Sequence, residues 1–240
     1  MRAVSRRQHA VRLLADYPNA LRFRVRAARH WTVPASFAMG TLRPVVILPG
    51  IYESWHYLRP IAERLNADGH PVHVIPALGW NRAPIPATAA QVHAQLVARG
   101  LMGVALVAHS KGGIVGKHLM SFDDRDGRVD RLIAIASPFN GSSMARIAPN
   151  PALRAFLPED PVITALAAQR AVNARITSIY ASFDPHIPDG CVLDGGRNIE
   201  LPVIGHFRIL VQPAVIDAVR DAVRLCRTRD YRGEVTGGAS

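Results

Sequence analysis

One stretch of ten residues places the strongest limit on the fold, because an apolar run turns into a helix at a single serine. Residues 104–108 are apolar without alternation, so we predict a strand covered on both faces of a parallel sheet. A turn this tight needs small residues beside the exposed side chain. Ala108 and Gly112 occupy the outer positions of a G-x-S-x-G pattern, with alanine in place of the first glycine. The stretch therefore predicts Ser110 on a sharp strand-to-helix bend.

Two interpretations of Ser110 are open on this stretch alone. A serine between a strand and a helix is more often an N-cap, whose side chain accepts a backbone N–H. Alternatively, Ser110 is a nucleophile and the helix N-terminus directs N–H groups toward a developing oxyanion. Gly113 and Gly116 would let this helix lie close to the sheet. The polar residues at other strand ends favour the nucleophile.

Strands and helices alternate along the chain, which predicts an α/β fold: a mostly parallel, doubly wound sheet with helices on both faces. Such sheets gather ligand-contacting residues at the carboxyl ends of their strands. The predicted strands are 45–48, 72–75, 104–108, 131–137, 176–183 and 198–204, and the predicted helices are 55–67, 87–99, the one after Ser110, and 213–225.

The chain is expected to form one domain with appended ends, since 240 residues is close to the usual domain size. We predict a basic N-terminal extension at 1–43, the α/β domain at 44–227 and a flexible C-terminal tail at 228–240. Prolines break the segment 138–173 into short pieces, which favours a small lid or pocket wall there.

The formal charge of +11 is concentrated at the N-terminus, where residues 1–43 hold nine arginines and one acid, Asp16. Such a segment could give peripheral contact with an anionic membrane. A nucleic-acid partner is disfavoured because the sequence has no nucleic-acid-binding motif. The sequence does not indicate an oligomeric state.

No apolar run reaches the roughly 18–20 residues of a membrane span, and no secretory signal is visible. A cytoplasmic location is therefore expected, with a peripheral membrane or exported form left open. The two cysteines, Cys191 and Cys226, have no metal-ligand spacing to histidine, so we expect no metal site. Two free thiols are favoured over a single disulfide.

Three polar residues follow predicted strands in the order Ser110, Asp184, His206. A hydroxyl becomes a good nucleophile when an imidazole takes its proton, and a carboxylate holds that imidazole in the right tautomer. Only the fold can bring the three together, since they are 74 and 22 residues apart. Asp189 and Asp194 are alternative acids, and His186 is an alternative base. We expect His109 to pack or hydrogen-bond locally beside the bend.

Five segments in this order resemble the α/β-hydrolase family, of the bacterial lipase and esterase type (triacylglycerol lipase-like). They are Leu-Pro-Gly-Ile at 48–51, Ala-His-Ser-Lys-Gly-Gly at 108–113, Ser-Pro-Phe-Asn-Gly-Ser at 137–142, the segment around Asp184, and Gly-His-Phe at 205–207. The resemblance covers about residues 44–227. Pro49 and Phe139 stand where members of that family often have histidine.

The resemblance implies a serine hydrolase that cleaves carboxylic esters, acyl lipids among them, through an acyl-enzyme and without a cofactor. Ser110, Asp184 and His206 would be the catalytic triad, and the backbone N–H groups of Ile51 and Lys111 would form the oxyanion hole. The side chains expected to bind substrate are Tyr52, Met144, Ile147, Phe156, Leu157 and Ile187.

Other functions fit the same sequence. An acyltransferase, a thioesterase or an amidase could use the same triad. A non-catalytic module that binds membranes or polyanions through the arginine-rich N-terminus is the alternative outside enzymes, but such a module gives no reason for the strand-end order of Ser110, Asp184 and His206.

Overall fold

Six parallel strands form one sheet in the computed structural model, which describes Asp16 and residues 18–25, 32–148 and 150–225. The strand order is β2-β1-β3-β4-β5-β6, and all five neighbouring pairs are parallel. The strands are β1 (Val45–Leu48), β2 (Val72–His73), β3 (Val104–His109), β4 (Val129–Ile135), β5 (Ile176–Phe183) and β6 (Arg197–Ile204).

Helices connect the first five strands, as the alternating pattern predicted, and a loop without a helix connects β5 to β6. The α-helices are α1 (Arg59–Ala67), α2 (Ile85–Ala98), α3 (Lys111–His118), α4 (Pro161–Ala168) and α5 (Pro213–Arg224). Short 3-10 turns lie at Ala35–Ala38, Trp55–Leu58, Pro76–Leu78, Ser143–Arg146, Pro151–Phe156, Asn173–Arg175 and Arg208–Val211, and a π-helical turn lies at Leu119–Asp123. Residues 18–25 are helical as well.

Several predicted elements begin or end a few residues away from the observed ones, and proline accounts for two of these differences. The helix predicted from residue 55 starts as a 3-10 turn and becomes α-helical at Arg59, because Pro60 fits only the first turn of an α-helix. Strand β2 pairs only through Val72 and His73, because Pro76 opens a 3-10 turn soon afterwards.

The sheet buries an apolar cluster on each face, since successive side chains of a strand point to opposite sides. On one face Val107 of β3 lies in a cluster with Ile61 of α1 and Val219 of α5. On the other face Leu106 lies in a cluster with Val92 of α2. All of residues 104–108 are 0% exposed, which explains why this strand shows no polar alternation. The prediction of a doubly covered parallel sheet is confirmed.

Helix α3 lies very close to the sheet, and its glycines make this possible. A Cβ on Gly112 would lie 2.2 Å from the carbonyl oxygen of Leu48, at the end of β1. A Cβ on Gly113 would lie 2.1 Å from Ser137 Oγ. The start of α3 is therefore held directly against the loop that follows β1.

The described part of residues 1–43 packs against the α/β domain rather than standing apart from it. Phe23 and Phe37 are 3% and 2% exposed and belong to the cluster on the α1 and α5 face. The Tyr57 hydroxyl donates to the carbonyl of Ala20 at 3.2 Å. The boundary at residue 44 stays a prediction, and the predicted tail at 228–240 lies outside the described residues, as does Cys226.

Among the described residues, no helix has both the length and the apolar character that a membrane crossing requires.

We predict that Gly112→Ala destabilises the protein by about 3 kcal/mol, because the added methyl group meets a backbone oxygen that cannot move aside. Gly116→Ala is the matched control. Its methyl group would approach Leu132 Cδ1 at 2.8 Å, a side-chain end that can move, and alanine adds up to about 1 kcal/mol of helix propensity. Chemical denaturation measures both, and equal losses would contradict the close approach at Gly112.

Candidate active site

Ser110 lies between β3 and α3 with a backbone conformation that residues other than glycine rarely adopt. Its φ is 50° and its ψ is −118°. A residue in such a conformation stores about 1–3 kcal/mol of strain and is often found at a functional site. The Ser110 side chain makes no capping hydrogen bond to α3. Ser110 thus occupies the N-cap position of α3, but its side chain does not accept the backbone N–H that the capping interpretation requires.

Asp184 and His206 are joined by a short hydrogen bond. His206 Nδ1 lies 2.7 Å from Asp184 Oδ2, and the two residues are 5% and 7% exposed. Asp184 directly follows β5, and His206 follows β6 by two residues, so adjacent parallel strands deliver them to the same edge of the sheet. A carboxylate on Nδ1 leaves Nε2 of the neutral imidazole as the acceptor.

The charges around this pair oppose the effect of burial. Burial lowers the pKa of His206, but the Asp184 carboxylate, its hydrogen bond, and then Glu53 and Asp16 raise it, so the net pKa is above its usual value. Burial raises the pKa of Asp184, but the charge and hydrogen bond of His206 and the nearby His186 outweigh it, so the net pKa is below its usual value. Asp184 is therefore ionised at neutral pH.

The alternative acids and base have other partners. Asp189 Oδ2 accepts the backbone N–H of Ser143 at 2.6 Å, and Asp194 pairs with Arg170. His186 Nδ1 is 3.9 Å from Asp184 Oδ1, well beyond the His206 contact. Burial and the adjacent His206 lower the pKa of His186 to about 4. His186 is thus neutral at neutral pH and lies beside the pair instead of replacing His206.

A cavity of about 920 Å³ opens at this edge of the sheet, and both Ser110 and His206 line it. Within the described ranges no hydrogen bond joins the side chains of these two residues. Five of the six predicted substrate-binding residues also line the cavity: Tyr52, Met144, Ile147, Phe156 and Ile187. Leu157 does not line it and packs against the apolar cluster on the α2 and α3 face.

The N-terminal segment supplies a wall of the cavity that the sequence patterns did not reveal. Pro18, Ala20, Leu21 and Arg24 all line it, as do residues of the two 3-10 turns between 143 and 156. Met144, Ile147 and Phe156 of the segment 138–173 line the cavity, and the role of the whole segment as a lid or pocket wall stays a prediction.

Asp16 holds the loop that carries His206. Its carboxylate is 2% exposed and accepts the backbone N–H groups of His206 at 2.6 Å, Phe207 at 2.9 Å and Arg208 at 2.9 Å. The last two N–H groups lie at the start of the 3-10 turn Arg208–Val211, where no partner within the turn is available to them. The only visible signal for this contact in the sequence was a lone acid among nine arginines.

The two residues predicted to provide the oxyanion hole lie on adjacent segments. Ile51 follows β1 and lines the cavity, and Lys111 is the first residue of α3, where backbone N–H groups lack helical acceptors. The close approach of Gly112 to the Leu48 carbonyl brings these segments together. Tyr52, which follows Ile51 in the loop after β1, has a φ of 57°, so the backbone of that loop is strained as well.

Lys111 does not line the cavity, and its side chain holds a neighbouring loop. Its ammonium group donates to the carbonyl of Asn81 at 2.8 Å, to Asn81 Oδ1 at 3.0 Å and to the carbonyl of Ala83 at 2.5 Å. Asn81 Nδ2 in turn donates to the carbonyl of Pro49 at 2.7 Å. Burial lowers the pKa of Lys111 to about 8.

Histidine and carboxylate groups cluster beside the cavity in two sets that share His206. One set adds Glu53 and His109, the other adds Asp184 and His186, and within each set the potential ligand atoms lie within 4.8 Å of one another. Hydrogen bonds from His206 to Asp184 and from His109 to Glu53 already engage these atoms.

The parallel sheet, the strained serine between strand and helix, and the acid and histidine at later strand ends define the α/β-hydrolase fold. Solved structures that share it include lipase B of Aspergillus fumigatus (TM-score 0.65, 19% identity, 80% of this chain and 55% of that one). Others are the mature lipase BlEst2 of Bacillus licheniformis (TM-score 0.60, 15% identity, 78% and 93%) and an esterase of Thermogutta terrifontis (TM-score 0.54, 17% identity, 78% and 91%).

Similarity to curated proteins covers a shorter region. The chain is 30% identical over 116 residues to lysosomal thioesterase PPT2 of Homo sapiens, which is 41% of this chain and 35% of that protein. The Bos taurus protein of the same name is 30% identical over 107 residues. The chain thus spans about a third of the length of the curated relatives it matches. No protein-family model matches it.

We predict that Asp16→Ala destabilises the protein by about 3 kcal/mol, because three backbone N–H groups lose a charged acceptor. Asp160→Ala is the matched control, since the Asp160 side chain accepts a single N–H, that of Val162 at 2.9 Å, and its loss should cost about 1 kcal/mol. Urea denaturation of both variants checks this, and a loss for Asp16→Ala no larger than the control would contradict the anchoring role.

Proposed function

We propose that this chain is a serine hydrolase that cleaves carboxylic esters through an acyl-enzyme. The observation that carries the proposal is the buried 2.7 Å contact between His206 Nδ1 and Asp184, in the same cavity as a strained Ser110. Ester-cleaving proteins among the structures that share the fold are consistent with this chemistry.

In the proposed reaction Ser110 Oγ attacks the carbonyl carbon of the ester while His206 Nε2 takes the hydroxyl proton. Asp184 remains ionised and stabilises the imidazolium that forms. The tetrahedral intermediate collapses, the bond to the leaving oxygen breaks, and His206 returns its proton to that oxygen. The products of this half-reaction are an alcohol and an acyl group on Ser110.

Water completes the cycle by the same proton route. His206 Nε2 takes a proton from the water as its oxygen attacks the acyl carbon, and the second tetrahedral intermediate expels Ser110 Oγ, which recovers the proton. In both steps the negative oxygen would be stabilised by the backbone N–H groups of Ile51 and Lys111. One such donor contributes about 3–4 kcal/mol in a comparable enzyme.

The cavity favours an acyl substrate. At about 920 Å³ it is at the upper end of the usual size of small-molecule sites, and its predicted acyl side is lined by Met144, Ile147 and Phe156. Two apolar side chains of the lining are strongly exposed, Leu21 at 63% and Ile147 at 74%. Exposed apolar residues at a cavity support the hypothesis that the substrate is a lipid ester and that the protein makes peripheral contact with membranes.

A thioester substrate is the second candidate, and the similarity to a lysosomal thioesterase supports it. The same residues would act, with a thiol as the leaving group. Because a thiolate leaves more readily than an alkoxide, the return of the proton from His206 matters less for the first step. Parallel assays of an acyl ester and the matching acyl thioester would separate the two substrate classes.

We predict that Ser110→Ala lowers the hydrolysis of p-nitrophenyl esters at least about a thousandfold, because the nucleophile is lost. A series of acyl chain lengths identifies the preferred substrate, and Ser137→Ala, a buried serine whose hydroxyl donates to the carbonyl of Ile135, is the control that should keep its activity. Fluorophosphonate labelling with peptide mapping should mark Ser110. Equal rates for the parent and Ser110→Ala would reject the proposal.

We predict that kcat/KM rises with pH through a midpoint above the usual histidine pKa of about 6.5, because His206 must be neutral to take a proton and its pKa is raised. Asp184→Asn removes the main cause of that increase, so the midpoint should fall below that of the parent and the rate should drop about 10⁴-fold. Asp189→Asn is the control with an unchanged midpoint. A parent midpoint below that of Asp184→Asn would contradict the assignment.

A further inference from the structure

A second buried histidine lies beside Ser110, and the proposed reaction does not use it. His109 is the last residue of β3 and is 0% exposed, and Glu53 next to it is 3% exposed. His109 Nδ1 lies 2.8 Å from Glu53 Oε2 and 2.9 Å from Oε1. On the opposite side of the ring, Nε2 lies 3.0 Å from the backbone carbonyl oxygen of His206. One imidazole therefore connects Glu53 to the backbone of His206.

The partners of His109 assign its protons. A carbonyl oxygen only accepts, so Nε2 carries a hydrogen and donates it to His206. A further proton lies between Nδ1 and the Glu53 carboxyl group, because two lone pairs facing each other at 2.8 Å would repel. Glu53 and His109 together are thus net neutral, which is the condition under which ionisable groups are tolerated in a buried position.

Glu53 also holds the loop that follows β1. Its Oε2 accepts the backbone N–H of Gly50 at 2.8 Å, and the Glu53 N–H donates to the Gly50 carbonyl at 3.3 Å. A Cβ at position 50 would lie 2.6 Å from Glu53 Oε1, so the carboxylate fits only beside a glycine. This loop carries Ile51, the proposed oxyanion donor. The carboxylate therefore links that donor's loop to His109.

We infer that Glu53 and His109 are positioning residues that hold three parts of the site in one arrangement, an inference that rests on the proposed function. The three parts are the loop of Ile51, the strand end before Ser110 and the backbone of His206. The hydrogen bonds of Glu53 and His109 fix where the nucleophile, the base and the oxyanion donors lie relative to one another. Misplacement of a reacting group by about 1 Å costs about a hundredfold in rate, so loss of the ties should reduce kcat and leave KM nearly unchanged.

Three variants at the pair separate position from charge. In Glu53→Gln the side-chain oxygen still accepts from Gly50 and the amide donates to His109 Nδ1, so every tie remains and kcat should stay within about threefold of the parent. Glu53→Ala and His109→Phe remove these hydrogen bonds, and each should lower kcat about 10- to 100-fold. The KM of His109→Phe should stay within about threefold, because His109, unlike Glu53, does not line the cavity. Retained activity in Glu53→Gln, together with lost activity in the other two variants, would show that the hydrogen bonds of the pair hold the site in position.

His70→Phe is the matched control. His70 is also buried, at 3% exposure, and its Nδ1 donates to a backbone carbonyl, that of Arg43, at 2.9 Å. It does not line the cavity. This variant should lower Tm but leave kcat unchanged. Kinetics are measured on the full chain with a short soluble p-nitrophenyl ester, at a temperature well below the Tm of each variant, together with the rate of fluorophosphonate labelling.

The outcomes are distinguishable. If Glu53→Ala and His109→Phe keep kcat within twofold of the parent, the pair is ordinary core and the inference is wrong. If Glu53→Gln loses as much kcat as Glu53→Ala, charge and not position is responsible, and the inference is also wrong. If His109→Phe does not fold, the two Glu53 variants decide the matter. A parent protein with neither hydrolysis nor labelling would overturn the proposed function, and this inference with it.

Discussion

The common direction of the strands is the constraint on which the rest of this structure depends. All neighbouring strand pairs of the described sheet are parallel, so their carboxyl ends lie at one edge. Ser110 follows β3, while Asp184 and His206 follow β5 and β6. The sheet faces are covered by helices, which leaves this edge as the place where polar side chains from distant parts of the chain can meet around a cavity.

Several polar groups at that edge are buried and matched to a partner of suitable chemistry. Asp184 accepts from His206, Asp16 accepts three consecutive backbone N–H groups, and Glu53 pairs with His109. Lys111 donates to three oxygens of the loop at 81–83. Burial makes each unpaired group costly, so these contacts favour a single arrangement of the loops. The hydrogen bonds among these side chains and loops thus hold the polar groups in fixed positions at the carboxyl ends of the apolar strands.

The fold could be predicted from the sequence because its signals are local. The unbroken apolar run at 104–108 predicts that the strand is buried on both faces. The glycines after Ser110 predict that α3 lies close to the sheet. Prolines mark where helices can start, and their effect on α1 and β2 shifted the predicted bounds by a few residues. Such features depend on neighbours within a few positions, which a sequence displays directly.

The site was only partly predictable, because several of its contacts join residues that are remote in sequence. The order of Ser110, Asp184 and His206 was visible, and the last two do lie together. His109 and Glu53 are 56 residues apart, and no sequence pattern predicts a hydrogen bond between residues at that separation. Leu157 is not among the residues that line the cavity and packs against the apolar cluster on the α2 and α3 face, so its role in substrate binding stays a prediction.

The contact of Asp16 with residues 206–208 has a consequence for how the protein is made. It spans about 190 residues, so the entropy of closing such a loop is recovered only after the intervening sheet has formed. During synthesis the carboxylate leaves the ribosome long before the amides that it binds. Asp16 can therefore bind the histidine loop only after residues 206–208 have left the ribosome, and a nascent chain that stops short of them holds the carboxylate without its three amide donors.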